Sequence, residues 1–359
     1  MSKIVISGYY GFANAGDEAM LNAIVTSLRN KDKAVDLTVI SGNPNITAAK
    51  HKVASIHRFS PLKIYSALSD CDLLLSGGGS LLQDVTSKKS LLYYLAIIGL
   101  GKLLDKKVML YAHGIGPIRS SVLRKITKAI CNQVDLITVR DTDSLDELRR
   151  LGVTDTKIKL TADAVLTLAQ GNKEQGLNLL EKFGLGQNKP IVAISVRSWG
   201  SSDKYLQEMA KAADVLSLEN DAQIALLPLQ YPADVVACKK LQQFMKREAV
   251  ILDAAFDTEQ FLGLMGNFSL LIGMRLHALI FAAVMETPFI ALSYDPKIDG
   301  FVKEVAGTNI GAIDNFAAED LVKATKAILK NDNNSNERLE QLREKALQNT
   351  QLAFELLRR

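Results

Sequence analysis

Short, continuously apolar segments alternate with amphipathic ones along nearly the whole chain, and this alternation decides the fold class. KIVISG (3–8), VDLTVI (35–40), DLLLS (72–76), KVMLYA (107–112), DLITV (135–139) and a shorter run at 157–160 read as strands. Segments near 17–30, 61–70, 88–104, 119–133 and 142–151 read as helices between them. A strand that is apolar on both faces must be covered on both faces, which places it in a parallel sheet with crossover helices. Right-handed crossovers then give a doubly wound, Rossmann-like α/β domain.

The alternation pauses over 165–188, a polar, glycine-bearing stretch ending before Pro190, with a helix expected inside it. It restarts with strands at 190–196, 222–228, 249–252, 269–273 and 288–292. Helices are predicted at 203–219, 232–247, 257–266, 276–286 and 316–330, and a long charged helical pattern occupies 335–357. The predicted organisation is an N-terminal Rossmann-like domain over 1–170, a C-terminal one over 188–331, and a C-terminal helix over 332–359. A chain of 359 residues suits two cores, since single cores stop growing at about 250–300 residues. Ligands of open α/β sheets sit at the C-terminal ends of the strands, so two such domains are expected to face a cleft.

Composition removes several classes. A net charge of +4 with no dense Lys/Arg run argues against nucleic acid. Cys71, Cys131 and Cys238 are scattered and odd in number, so they build neither a disulfide framework nor a zinc site and point to a reducing compartment. The N-terminus reads as a first strand, not a signal peptide. The apolar run 91–101 stops at Lys102, short of the ~20 residues a membrane span needs. Asn267, Arg275 and His277 interrupt the apolar stretch 261–285, which reads as a strand followed by a helix.

The residues that follow the strands can do chemistry. After the first comes GYYGFANAGDEAML (8–21): Asn14 and Asp17 suit a helix cap and Glu18 its first turn. The loop lacks both the G-x-G-x-x-G dinucleotide fingerprint and a Walker A sequence. Its functional reading is a tight loop near backbone amides, with Asp17 or Glu18 facing sugar hydroxyls. SGGGSLLQD (76–84) puts three glycines, Gly78 among them, at a strand end where a ligand can approach closely. YAHGIGPI (111–118) places His113 at the expected cleft edge, where a structural hydrogen-bonding role competes with a functional one. Arg140 ends the strand of VRD, as an anion ligand or a salt-bridged side chain.

In the second half, SVRSWG (195–200) repeats the arrangement with Arg197 and the single tryptophan, Trp199. The sharpest feature is LLIGMRLHALIFAA (270–283), in which Arg275 and His277 stand between two very apolar elements. Charged and titratable groups are costly there unless paired or functional, and a helix N-terminus adds positive potential. SYDPKIDG (293–300), read as a loop, adds Asp295 and Lys297. Arg140, Arg197, Arg275, Lys297 and a histidine together suit a small substrate carrying phosphate and carboxylate groups. The four histidines are unclustered, so no metal is expected.

Taken in order, GYYGFANAGDEAML, SGGGSLLQD, YAHGIGPI, VRD, TADAVL, GMRLHALIFAA and SYDPKI cover nearly the whole chain and resemble the polysaccharide pyruvyl transferases. They are most similar to the bacterial CsaB-type enzymes, which pyruvylate a secondary cell-wall polymer that anchors S-layer proteins. The resemblance implies a fold like the two-domain glycosyltransferase type B. It implies phosphoenolpyruvate as donor substrate and no cofactor. It also implies a 4,6-pyruvate ketal on a sugar, with a lipid-linked N-acetylmannosamine unit as acceptor.

On that basis Arg275, Arg140, Lys297 and Arg197 are expected to hold the donor, with Arg275 and His277 catalytic. Asn14, Asp17, Glu18, Gly78, Gln83 and His113 are expected to face the acceptor. The enzyme is expected to be cytoplasmic, working at the inner face of the membrane with peripheral contact at most. Segment 91–104 with Lys102, Lys106 and Lys107 either touches that surface or packs as a buried helix. Two readings compete: a type B glycosyltransferase using a nucleotide sugar, which needs ribose and base contacts, and a non-catalytic anion- or sugar-binding protein, which needs no titratable group beside the arginines.

Overall fold

The computed structural model describes residues 1–186, 189–330 and 337–359. The expected start of the second domain at 188, its end at 331 and the first residues of the expected C-terminal helix at 332–336 lie outside them. The chain divides into two compact units, Met1–Leu168 with Gln341–Arg359, and Ala169–Glu340.

Unit 1 runs β1 (Lys3–Ser7), α1 (Ala15–Lys31), β2 (Asp36–Ser41), α2 (Pro44–His51), β3 (Ala54–His57), α3 (Pro61–Asp70), β4 (Leu73–Gly77), α4 (Lys88–Leu103), β5 (Lys107–His113), α5 (Ser121–Cys131), β6 (Leu136–Val139), α6 (Thr142–Leu151) and β7 (Ile158–Leu160). Its seven strands form one sheet in the order β3-β2-β1-β4-β5-β6-β7, and every pair is parallel. Leu73, Leu74 and Leu75 of β4 are all fully buried, as a strand covered on both faces requires. α4 is a packed helix: Leu91, Tyr94, Leu95, Ile97 and Ile98 are buried on the sheet. Lys102 is engaged as well, with its Nζ donating to Asp135 Oδ2 at 2.8 Å and to the Lys106 carbonyl at 3.0 Å.

Unit 2 runs α7 (Lys173–Glu181), β8 (Ile191–Ser195), α8 (Lys204–Glu219), β9 (Gln223–Leu226), α9 (Val235–Phe244), β10 (Val250–Ile251), α10 (Thr258–Met265), β11 (Leu270–Gly273), α11 (Leu276–Val284), β12 (Phe289–Ser293), α12 (Pro296–Glu304), β13 (Thr308–Ala312) and α13 (Ala318–Lys330). Its sheet is again all parallel, in the order β10-β9-β8-β11-β12-β13. The fold is therefore two Rossmann-like parallel-sheet domains. In each sheet the strand order reverses beside the first strand, between β1 and β4 and between β8 and β11. Those switch points are where a crevice opens at the strand C-termini.

Four elements differ from the sequence reading: α2, β3, α12 and β13 were not predicted. The stretch read as a loop over 293–300 is the start of α12, with Pro296 at its first position and Asp295 capping the Lys297 amide at 3.1 Å. The last helix, α14 (Glu337–Arg358), contributes its residues from Gln341 onward to unit 1. There the buried Asn349 accepts from Thr161 Oγ1 at 2.8 Å and donates to the Ala162 carbonyl at 3.1 Å. Thr350 Oγ1 lies 2.7 Å from the Tyr111 hydroxyl.

Two glycine-bearing helices of unit 2 cross at backbone distance. A Cβ on Gly176 of α7 would lie 2.0 Å from the Gly263 carbonyl oxygen of α10. Alanine would gain ~1 kcal/mol of helix propensity, but a clash with rigid backbone outweighs it. Gly176→Ala is expected to destabilise unit 2 by about 1–3 kcal/mol in denaturant titration, the range for overpacking; a stabilised variant would refute the close crossing. Asn349→Ala removes an acceptor from the Thr161 hydroxyl and the donor to the Ala162 carbonyl, and is expected to cost unit 1 about 1–3 kcal/mol in the same measurement.

Candidate functional site

The β1–β4 switch point of unit 1 is built from the two loops the sequence singled out. After β1 the chain turns through Gly11 at φ +80° and enters α1 behind Asn14. The Asn14 side chain accepts from the Gly16 amide at 3.0 Å and the Asp17 amide at 3.4 Å. Glu18 Oε1 accepts from the Gly11 amide at 2.8 Å, folding the loop back on its own helix, and Glu18 Oε2 lies 3.6 Å from His51 Nε2. Burial pushes the Glu18 carboxyl up, but these two partners and Lys50 outweigh it and hold it below its ordinary range. The Glu18 carboxylate and the amides of Gly11, Gly16 and Asp17 are thereby committed to the loop's shape.

After β4, Gly78 (φ +61°) and Gly79 (φ +71°) make a turn in left-handed backbone that favours glycine, and a Cβ on Gly78 would sit 2.0 Å from Met20 Cγ. The Tyr10 hydroxyl donates to the Gly77 carbonyl at 2.8 Å, which ties the two loops together. Asp17 projects from the first turn of α1 against Gly79, its Oδ1 2.9 Å from where a Cβ would stand. Its carboxyl is pushed up to about 7, by burial first and by the neighbouring Glu18 charge second, with Arg140 pulling the other way. It therefore changes protonation near neutral pH, a property the sequence reading did not attach to it. Gln83 lies further along the same loop and spends its amide on Thr86, donating to Oγ1 and accepting from the backbone amide, each at 2.9 Å.

Two candidate residues of unit 1 are buried. His113, expected at the cleft edge, is the last residue of β5 with no accessible surface. Its Nε2 donates to the Ser76 carbonyl at 2.9 Å and lies 3.1 Å from the Ser76 hydroxyl. Burial first, and the Arg140 charge, lower it to about 4, so the ring is neutral and braces the Gly77–Gly79 turn from beneath. Arg140 takes the salt-bridged reading. It is buried, donates to Asp163 Oδ2 at 2.6 Å, lies 3.5 Å from Asp141, and reaches Ser80 Oγ at 3.4 Å. Burial opposes its charge, but Asp163 and Asp141 more than compensate and keep it ionised. The sequence quoted Asp163 within TADAVL without giving it a role; its partner is 23 residues away.

The β8–β11 switch point of unit 2 gathers the other cations. Arg197, just past β8, is held by three residues. Its amide donates to Met274 Sδ at 3.3 Å, its NH1 donates to the Tyr294 hydroxyl at 3.3 Å, and its carbonyl accepts from the Tyr205 hydroxyl at 2.7 Å. Its guanidinium lies 5.9 Å from the Trp199 ring and 5.5 Å from the Tyr294 ring, which pack on each other at 4.4 Å. Arg275 occupies the residue before α11, with His277 on the first turn. Its NH2 donates to Asp234 and, at 3.3 Å, to Gln230 Oε1, while the buried Asp234 also takes the Gln230 amide at 2.8 Å. Asp234 and Gln230 lie in the loop after β9 and were missed, because their partner is more than 40 residues on. Lys297 stands on the first turn of α12. Of the four cations grouped by the sequence, unit 2 carries three and unit 1 carries Arg140. Among the described residues no group of three or more potential metal ligands comes together, and no helix is long and apolar enough to cross a membrane.

Comparison with known proteins agrees with this architecture. The chain superposes on UDP-GlcNAc 2-epimerase from Methanocaldococcus jannaschii with a TM-score of 0.70 at 15% identity, covering 99% of this chain and 100% of the other. Anabaena Alr3699/HepE, in complex with UDP-glucose, gives 0.68 at 13% identity with 99% of both chains covered. A glycosyltransferase from Rickettsia africae gives 0.62 at 15%, covering 99% and 95%. These likenesses establish the fold, that of type B-like glycosyltransferases and epimerases. In sequence, the chain is 24% identical to the amylovoran biosynthesis protein AmsJ of Erwinia amylovora over 84% of its own length and 86% of the relative's. The model of the polysaccharide pyruvyl transferase family matches residues 14–296, from the Asn14 cap to the first residue of α12. The chain belongs to the polysaccharide pyruvyl transferase family.

Proposed function

We propose that the enzyme transfers the enolpyruvyl group of phosphoenolpyruvate to a sugar and closes a 4,6-pyruvate ketal with release of phosphate. The acceptor of this reading is N-acetylmannosamine in a lipid-linked cell-wall polymer precursor, as in the CsaB-type enzymes of S-layer anchoring, met at the inner face of the cell membrane. The likeness to a protein of amylovoran biosynthesis supports a polysaccharide context. The observation that carries the donor is the set of cations at the strand ends of unit 2. Arg197 and Arg275 each stand in a fixed network, with Lys297 on the next helix and His277 two residues from Arg275. Arginine forks match phosphate and carboxylate, the two anionic groups of phosphoenolpyruvate.

In the reaction, C3 of the donor gains a proton and becomes a methyl group, and C2 becomes electrophilic. One acceptor hydroxyl adds at C2, the C–O bond to phosphate breaks, and the second hydroxyl closes the ring. Both hydroxyl protons are given up. His277 is assigned a proton transfer on the donor side. Arg275, Lys297 and Arg197 hold the donor and stabilise the departing phosphate, and Asp234 keeps Arg275 aimed. On the acceptor side Asp17 and the Gly78 turn face the sugar, with Asn14, Glu18 and Gln83 shaping the loops. Arg140 and His113 act beneath them as positioning residues. No metal or cofactor enters the scheme.

Phosphate release from phosphoenolpyruvate, measured with a synthetic N-acetylmannosaminyl-N-acetylglucosamine diphospholipid, tests the class. Acceptor-dependent release is expected, falling about 10²–10⁴-fold in His277→Ala; release that survives removes His277 from its role, and none from folded wild type refutes this acceptor, with failed phosphoenolpyruvate binding then refuting the donor. Asp17 gives a second test. Its folded carboxyl holds its proton up to about 7 while the unfolded one releases it near 3.8, so the native state binds more protons between these values. Stability must then fall as pH rises through that window and stay lower above it. Asp17→Asn is expected to match wild type at pH 4 and exceed it at pH 8 by about 1–3 kcal/mol in denaturant titration; equal stability at both pH values would refute the raised carboxyl.

A further inference from the structure

One cation of unit 1 lies outside this scheme and is held in an unusual way. Arg58 follows β3, at the C-terminal edge of the sheet where the loop 8–14 also stands. Its backbone is fixed on both sides: the amide donates to the Ser41 carbonyl at 2.9 Å, and the carbonyl accepts from the Tyr93 hydroxyl at 3.1 Å. Its guanidinium lies 4.5 Å from the Tyr93 ring, 4.9 Å from Phe59 and 5.2 Å from Phe12. Tyr9 stacks on Phe12 at 4.3 Å, and a Cβ on Gly42 would lie 2.5 Å from the Phe12 ring, so that ring's place is kept clear.

Rings attract a guanidinium through their faces and leave its N–H groups unused. No described carboxylate pairs with Arg58, and its Nε is buried without a hydrogen-bond partner. An arginine with five donors is normally turned toward an acceptor. Here three aromatic side chains fix its position, and the Tyr93 hydroxyl is the one hydrogen-bonding group among them. Phe59, 71% exposed, gains little from core burial, and its ring packs against Arg58, Tyr93 and His57. Two residues after Arg58, α3 begins at Ser60 and Pro61 with no side-chain cap on its N-terminal amides. A fixed cation with no described carboxylate partner, two residues from an uncapped helix N-terminus, is suited to a doubly charged oxyanion.

We propose that Arg58 in its aromatic box, with the N-terminus of α3, is a phosphate-binding site for a glycosyl phosphate or diphosphate. Resting on the acceptor reading above, that phosphate is the acceptor's, because Phe12 of the box and Asn14 and Asp17 belong to one stretch of chain. The same chemistry is offered by a sugar diphosphate in solution and by the headgroup of an anionic phospholipid, and binding distinguishes them without turnover.

The test is calorimetric titration of wild type, Arg58→Gln and Phe59→Ala with a short-chain alkyl N-acetylglucosaminyl diphosphate, with the unphosphorylated alkyl glycoside, and with phosphoenolpyruvate. Co-sedimentation with vesicles of phosphatidylglycerol, against phosphatidylcholine, completes it. Loss of a charged hydrogen-bonding partner is expected to weaken the diphosphate about 10–100-fold in Arg58→Gln, and less in Phe59→Ala, whose exposed ring is dispensable for folding. The glycoside and phosphoenolpyruvate should bind all three proteins alike. Binding to phosphatidylglycerol vesicles alone, lost in Arg58→Gln, keeps the phosphate site and names the headgroup as its source. Equal binding by wild type and Arg58→Gln, or no binding of either phosphate probe by wild type, overturns the proposal. Because no step needs turnover, an enzyme inactive with phosphoenolpyruvate leaves this result readable.

Discussion

A parallel strand cannot be followed by its neighbour without a crossover, and every crossover starts from the same edge of the sheet. The interiors of both sheets are apolar on both faces, so no charged group can stand within them at tolerable cost. The chemistry of this chain is therefore confined to the strand C-termini, and the reversal of strand order opens a crevice at one place in each sheet. In unit 1 that place lies between β1 and β4, where the Asn14 loop meets the Gly77–Gly79 turn. In unit 2 it lies between β8 and β11, where Arg197 meets Met274 and Arg275 follows.

The two edges use charge differently. In unit 1 the buried Arg140 is compensated by Asp163 and Asp141, and what remains near the turn is a carboxyl, Asp17, poised between its two protonation states. In unit 2 one acid, Asp234, is spent on aiming Arg275 and another, Asp295, on capping α12. Arg197 is held by rings, a hydroxyl and a sulfur, none of which carries a negative charge. One edge presents a carboxyl near its protonation change, and the other presents cations. This division follows from which side chains are paired, since both units have nearly the same topology.

Much of this was legible in the sequence because continuous apolar strands are a strong signal. β3 escaped because ASIH is an edge strand, exposed at both ends and only half-buried between them, so it lacks the apolar continuity of its neighbours. α12 escaped because Asp-Pro reads as a turn, although proline is equally at home in a first helical turn. Among site residues, Arg275 and His277 stood out because charge between two apolar elements is rare. The pairing of Arg140 with Asp163, and of Arg275 with Asp234, was invisible, since each partner comes from a different crossover. The burial of His113 was hidden for a related reason: the end of a strand is exposed only where the next loop does not cover it, and here the Gly77–Gly79 turn does.

The return of α14 to unit 1 makes unit 2 an insertion within unit 1, entered at about residue 169 and left at about 340. Asn349 and Thr350 add hydrogen bonds to Thr161, Ala162 and Tyr111. On the ribosome, unit 2 is thus fully synthesised while unit 1 still lacks a helix. The first unit to be made is the last to be finished, and a nascent chain must keep the Tyr111 and Thr161 side of its first sheet uncovered until the final turns emerge.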